Sequence, residues 1–272
     1  EEAEATRFAS LIPRLNIHHK QLFFADNPIF VEGVSDAQLI EAIQERREAS
    51  ITAAGSCLID VGGCEEVTKY VELCRHYGKD GYFLFDLASL FIGSLRKCLR
   101  DDGSVIEFLA SVGLGADIAA YCGALDRVLT DAVRAVEAVA DTPDAVATLQ
   151  AYFRMLPDDS KKLARQRVAL IIAIAQSRDI FLPILAEKCV LDIEGRLRQI
   201  QSVLQSKHIF LLGSGALEHY LPSYSGDRYA MNDAAKKAAV ASEIALLGTG
   251  AADECLATRY GDLFRCIVAL PA

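Results

Sequence analysis

The sequence has no apolar run long enough to span a bilayer, no cysteines paired at metal-ligand spacing, no phosphate-binding glycine loop and no excess of positive charge. Each absence excludes something. A spanning helix needs roughly 18 or more apolar residues, and the best run, Val168 to Ala175, falls far short, so no membrane partner is expected. None of the eight cysteines forms a Cys-x-x-Cys pair or a Cys/His cluster of zinc-finger spacing, which argues against a structural zinc. Most of them, Cys57 beside Leu58 and Ile59 for instance, stand in apolar surroundings and read as small core residues. With no secretory signal either, a reducing cytoplasm is expected. No Gly-x4-Gly-Lys-Ser/Thr occurs, and neither Gly213-Ser214-Gly215 nor Gly248-Thr249-Gly250 is followed by Lys-Ser/Thr, so no nucleotide is expected on this chain. Finally, 28 basic against 37 acidic residues give a net charge of −9, which excludes coating nucleic acid by bulk charge.

What is present is a chain of 272 residues, 52% hydrophobic, long enough for one large domain with a sizeable core. It opens on Glu1 in a charged helical pattern, as expected for a piece of a longer polypeptide. Pro28–Val31, Ser56–Val61 and Gly81–Phe85 are short β-rich runs separated by amphipathic segments. The first of these segments starts at Ser35-Asp36 as N-cap and runs to about Ala49, with Ala37, Ile40, Ala42 and Ile43 inward; the second runs from about Glu65 to His76 and ends at Tyr77-Gly78. Strand, helix, strand, helix, strand with short connections predicts right-handed crossovers and a parallel sheet.

Past residue 100 the period turns helical. Residues 104–206 predict four or five helices, closing with one long helix from about Ile180 to Gln205. His208–Leu212 reads as a strand again, followed by a helix near Asp233–Leu247 and a short one at the end. The expected fold class is therefore α/β, a parallel sheet flanked by helices with a large all-helical insertion.

Acidic residues stand where such sheets carry chemistry, at the carboxyl ends of strands. Glu32 follows the first run, Asp36 lies one helical turn on, Asp86 ends the third run and Glu218 follows the fourth. Converging carboxylates repel and need protons or a cation. Hard oxygen ligands without soft partners select Mg2+, Mn2+ or Ca2+. Taken singly, each residue has a plainer reading: Glu32 as a turn residue, Asp36 as a helix cap, Glu218 on an exposed helix, Asp60 as a cap before Gly62-Gly63.

Phe30-Val31-Glu32-Gly33-Val34-Ser35-Asp36 resembles the first motif of Toprim domains, which topoisomerases, primases and several nucleases share. The preceding Gln21-Leu22-Phe23-Phe24-Ala25-Asp26 is similar to the entry into that motif in the OLD family of ATP-dependent nucleases, to which the Gabija defence nuclease is related. Ile59–Gly63, Leu84-Phe85-Asp86 and Gly215-Ala216-Leu217-Glu218 resemble the later segments in the family's order. The resemblance implies a DNA endonuclease with one or two Mg2+ or Mn2+ ions held by Glu32, Asp36, Asp86 and Glu218. It also implies a catalytic lysine, Lys236 or Lys237; paired lysines on an Ala-rich helix are otherwise commonly a solvated face. The implied partners are DNA, an ABC-type ATPase portion and further copies of the chain, and the implied setting is antiphage defence. On this reading 1–21 leads out of an absent ATPase portion, 22–103 and 207–272 form the Toprim core, and 104–206 is the insertion.

One position departs from the pattern. Toprim domains carry Asp-x-Asp at the third strand, whereas this chain reads Asp86-Leu87-Ala88. Alanine ligates nothing, so Ala88 implies either a natural variant with a weakened metal site or an introduced change that traps substrate; the otherwise intact motifs favour the second. A catalytically silent docking module is the rival reading. Arg96, Lys97 and Arg100, close after Asp86, are the candidates for phosphate contact, while Arg46-Arg47, Lys161–Arg167 and Arg196–Arg198 read as helix faces. His18-His19 lack a second cluster and read as linker surface; His219 beside Glu218 reads as packing, and Tyr220, Tyr224 and Tyr229 either line a groove or are buried.

Overall fold

The computed structural model describes residues 19–115, 117–140, 143–229, 232–247 and 253–272. His18, the Asp141-Thr142 turn and Gly248-Thr249-Gly250 lie outside the described residues. A 3-10 turn at His19–Phe23 leads into β1 (Asn27–Val31), α1 (Val34–Arg46), β2 (Ser56–Asp60), α2 (Val67–Tyr77) and β3 (Tyr82–Phe85). Two short helices follow, α3 (Ala88–Phe91) and α4 (Leu95–Leu99). Then come α5 (Gly103–Ser111), α6 (Ile118–Glu137), α7 (Asp144–Met155), α8 (Lys162–Leu185) and α9 (Glu187–Gln205). The chain returns to the sheet with β4 (Ile209–Leu211), takes a 3-10 turn at Leu217–Tyr220, and ends in α10 (Asp233–Leu247), α11 (Asp253–Tyr260) and α12 (Asp262–Val268).

The strands are all parallel and lie in the order β2-β1-β3-β4. Successive side chains of a strand point to opposite faces, and the two cores follow that alternation. Phe30, Ile59, Phe83, Phe85, Ile209 and Leu211 pack on one face, against α2 and the helices α5 to α9. Ile29, Val31, Leu84, Phe210 and Leu212 pack on the other, against α1, α10 and α12. The helical insertion therefore covers a single face of the sheet, and the C-terminal helices cover the opposite one.

Several sequence expectations are corrected in detail. The N-cap of α1 is Gly33, not Ser35-Asp36; Asp36 sits one turn inside, and its carboxylate accepts the Gly33 N–H at 3.0 Å. Leu39 joins Ile40 and Ile43 in the core, with Ala37 and Ala42 packed against it as expected, and buried Gln44 donates to the Ile267 carbonyl at 2.9 Å, tying α1 to α12. The single long helix over 180–205 is two helices, because Ala186 turns the chain at φ 59°, ψ 146°, a conformation costly for any residue but glycine. Pro183 and the non-helical Ser177 already distort the segment before it. The short C-terminal helix is in fact a pair, α11 and α12. Gly78 closes α2 as expected, in the left-handed region at φ 60°. By length and composition α8 is apolar enough to cross a membrane, contrary to the count of uninterrupted residues. Its stretch from Ala169 to Ile174 is buried inside the helical layer.

α10 is pinned by one carboxylate. Fully buried Glu243 accepts from the Ser223 hydroxyl (2.6 Å), Arg259 Nε and Nη2 (2.7 and 2.9 Å) and the Tyr260 hydroxyl (2.8 Å). Burial pushes its pKa up, but the Arg259, Ser223 and Tyr260 hydrogen bonds outweigh that and hold it below the ordinary value. Seven residues earlier, two turns back on the same helix face, stands Lys236. Glu243→Ala should lower the unfolding free energy by about 2 kcal/mol, because it strands the hydroxyl of buried Tyr260 in the core. Urea unfolding measures this; a loss under about 1 kcal/mol would show that the network is dispensable.

Candidate functional site

Backbone register assembles the site before any side chain acts. Val31 pairs with Leu84 across β1 and β3, so the residue after each strand, Glu32 and Asp86, emerges at one edge. The Asp86 N–H donates to Glu32 Oε1 at 2.9 Å, and the hydroxyl of fully buried Ser89 donates to the same oxygen at 2.6 Å. Sequence reading missed Ser89; its place in the first turn after Asp86-Leu87-Ala88 was the available signal.

The loop after β4 is locked to the same edge. The Leu212 N–H donates to the Phe85 carbonyl, the Leu87 N–H to the Gly215 carbonyl, each at 2.9 Å, and the Leu217 N–H to Asp86 Oδ1 at 3.1 Å. Gly215 adopts φ +132°, and a Cβ there would strike the His219 ring, so this turn requires glycine. His219 does more than pack: Nδ1 accepts the Ala216 N–H at 2.8 Å, which leaves Nε2 to donate to the Arg228 carbonyl at 2.7 Å. Tyr220 supports the turn from behind, accepting from the Ser214 N–H (2.8 Å) and donating to Asp262 (3.1 Å). These bonds deliver Glu218, 7% exposed, into the cluster.

Lys236 completes it. Its Nζ lies 2.7 Å from Asp36 Oδ1 and 3.4 Å from Glu218 Oε2, with α10 packed along α1. Both oxygens are fully buried, with the ammonium as their counter-charge. Lys237, the alternative, is exposed on the outer side of α10. Four carboxylates thus face one ammonium. Fully ionised, the group keeps three uncompensated negative charges, which buried surroundings do not tolerate without protons or a cation.

The titration of these groups reflects that deficit. Burial pushes Glu32 up to about 7, opposed by the hydrogen bonds from Ser89 and Asp86 and reinforced by the Asp36 charge. Burial also raises Asp36, against the pull of Lys236, and raises Asp86 well above the usual carboxylate range with help from Glu32. On Lys236 the carboxylates Asp36, Asp86 and Glu218 outweigh burial and hold the ammonium charged far into the alkaline range.

All-oxygen donors suit Mg2+ or Mn2+ in kind. The arrangement does not yet suit either ion. Among the described residues no three His, Cys, Asp or Glu side chains are grouped so as to hold a metal. The ammonium stands between Asp36 and Glu218, and Ala88, half-buried at the start of α3, adds no oxygen.

The remaining predicted residues are placed as follows. Arg96 is committed to Asp126 by two hydrogen bonds (2.7 and 3.1 Å) and stacks over Phe91, so it is not presented to a ligand; Lys97 and Arg100 are exposed. Arg167 shares that aspartate at 3.4 Å. Lys161 pairs with Glu65, Arg165 with Asp159 and Arg196 with Asp192, which leaves these basic groups as helix faces. Asp60 ends β2 opposite Val31. Tyr224 donates to the Asp227 carbonyl and Tyr229 packs against Tyr152, so the tyrosines serve the fold.

Residues 23–87 match the family model described as "Overcoming lysogenization defect protein-like, TOPRIM domain". No curated protein matches the chain. Among solved structures, the C-terminal region of the Xanthomonas campestris pv. campestris OLD protein is similar at 16% identity, covering 69% of this chain and 98% of that one with a TM-score of 0.25. The family match spans β1 to β3 and contains Glu32, Asp36 and Asp86; Glu218 and Lys236 lie beyond it.

The pH dependence of stability follows from Glu32. Its folded pKa of about 7 lies above the ordinary 4.5, so the folded state holds more protons through that window and stability falls as pH rises across it. Without metal, Glu32→Gln should match the parent's melting temperature near pH 4 and exceed it near pH 8 by several degrees. A difference independent of pH would contradict the assignment.

Proposed function

From the OLD-like TOPRIM match over residues 23–87, we propose that this chain carries the hydrolytic site of a DNA endonuclease whose cofactor is Mg2+ or Mn2+. The observation that supports this most is the meeting of Glu32, Asp36, Asp86, Glu218 and Lys236 at one sheet edge, built from segments up to 204 residues apart in the chain. Acidic oxygens beside a charged amine suit phosphodiester chemistry, in which negative charge grows on the phosphate and a fixed cation stabilises it. Glu32, clamped by Ser89 and the Asp86 N–H, is the rigid centre of the donor set, and Lys236 is the residue assigned to the phosphate. Exposed Lys97 and Arg100 would meet the DNA backbone by charge, with affinity falling as salt rises.

An ABC-type ATPase portion that licenses cleavage, assembly into oligomers and a cytoplasmic role in antiphage defence belong to the same proposal, resting on the family resemblance. A second reading, a silent module that docks such a partner, is favoured by Ala88 and by the closing of the carboxylates around Lys236.

Cleavage assays decide between them. In the presence of Mn2+ and any ATPase partner, Ala88→Asp should cut plasmid DNA at least about a hundredfold faster than the parent chain, since a restored ligand fixes the ion. Glu32→Ala placed in the Ala88→Asp background should abolish that cutting. Failure of Ala88→Asp to cut under these conditions would favour the silent module.

A further inference from the structure

The carboxylate cluster and a divalent cation make competing demands on the same oxygens. Asp36 Oδ1 and Glu218 Oε2 are fully buried and have Lys236 Nζ as their ion-pair partner at 2.7 and 3.4 Å. The other oxygens on which a metal would draw are partly engaged. Glu32 Oε1 takes two donors, Asp36 Oδ2 takes the Gly33 N–H, and Asp86 Oδ1 takes the Leu217 N–H. Among the described residues no three His, Cys, Asp or Glu side chains are grouped so as to hold a metal. A divalent ion beside a charged amine at such spacing would be strongly repelled in a site of low dielectric.

We propose that Lys236 is the resident counter-cation of this site. Its ammonium and a divalent metal bind the Asp36/Glu218 pair in mutual exclusion, and metal uptake drives the lysine side chain out of the pair. This rests on the metal-dependent reading above, which it extends by naming what the ion must displace. A long flexible stem suits the exchange: the lysine side chain is 18% exposed, so it has a route outward, while Asp36 and Glu218 are fixed by α1 and by the turn after β4. The displaced amine stays at the mouth of the site on α10, where the register set by Glu243 keeps it.

The exchange is tested by Mn2+ titration of the full chain, read by electron paramagnetic resonance of free Mn2+, together with melting curves in chelator and in Mn2+. Lys236→Met removes the charge and keeps an unbranched stem; it should bind Mn2+ about tenfold or more tightly than the parent, and Lys236→Arg should bind no more tightly than the parent. In chelator Lys236→Met should melt lower than the parent, and Mn2+ should raise its melting temperature by more than it raises the parent's. Lys236→Gln, measured in parallel, covers the case in which the Met variant does not fold. Equal or weaker Mn2+ affinity in both uncharged variants, with binding still abolished by Glu32→Ala, would overturn the exchange and leave the metal-dependent reading standing. No Mn2+ binding by parent or variants would overturn both.

Discussion

A charge imbalance governs this molecule's functional edge: four buried or half-buried carboxylates against a single ammonium. Carboxylates at this spacing are costly in a low-dielectric interior, and the cost is distributed in three ways. Glu32 and Asp86 are pushed toward their protonated forms, backbone N–H groups of Gly33, Asp86 and Leu217 point at the oxygens, and Lys236 inserts its charge. The Asp86 and Leu217 donors come from segments tied to the strand ends, and the ammonium comes from α10 packed on α1.

The architecture divides accordingly. One face of the sheet carries the helical layer and the greater part of the apolar burial; the opposite face carries α1, α10 and α12, and from it come Asp36 and Lys236. The cluster lies along the line between the two cores, at the strand ends, so both layers bear on it. Glu243 and its partners hold the register of α10, and Gly215, His219 and Tyr220 hold the turn that presents Glu218. These supporting contacts are polar and shared among several backbone groups, which makes the site rigid at its acidic end. Its one long flexible member is the lysine.

Much of the fold could be read in advance. Short β-rich runs broken by glycine announced the strands, and their alternation with amphipathic helices announced the parallel order, because crossover geometry leaves few alternatives. Glu32, Asp36 and Asp86 were visible because strand ends are where such sheets place their chemistry. Less visible were the elements whose ends depend on contacts. Leu95–Leu99 is too short for periodicity to signal, and the break at Ala186 arises in a stretch whose composition favours helix throughout. Arg96 reads as a free cation in the sequence, yet Asp126, thirty residues on, takes it.

The amino-acid sequence by itself determined the α/β class, the helical character of the insertion, the acidic strand ends and the gap at Ala88. These are properties of local pattern and residue type, which survive without knowledge of distant neighbours. Only the tertiary structure decided that Lys236 rather than Lys237 enters the cluster, that Ser89 grips Glu32, that Arg96 is committed elsewhere and that Glu243 anchors α10. Adjacent residues on a helix face about 100° apart, so which of two neighbouring lysines points inward is settled by the packing of α10 on α1. No reading of either residue alone contains that contact.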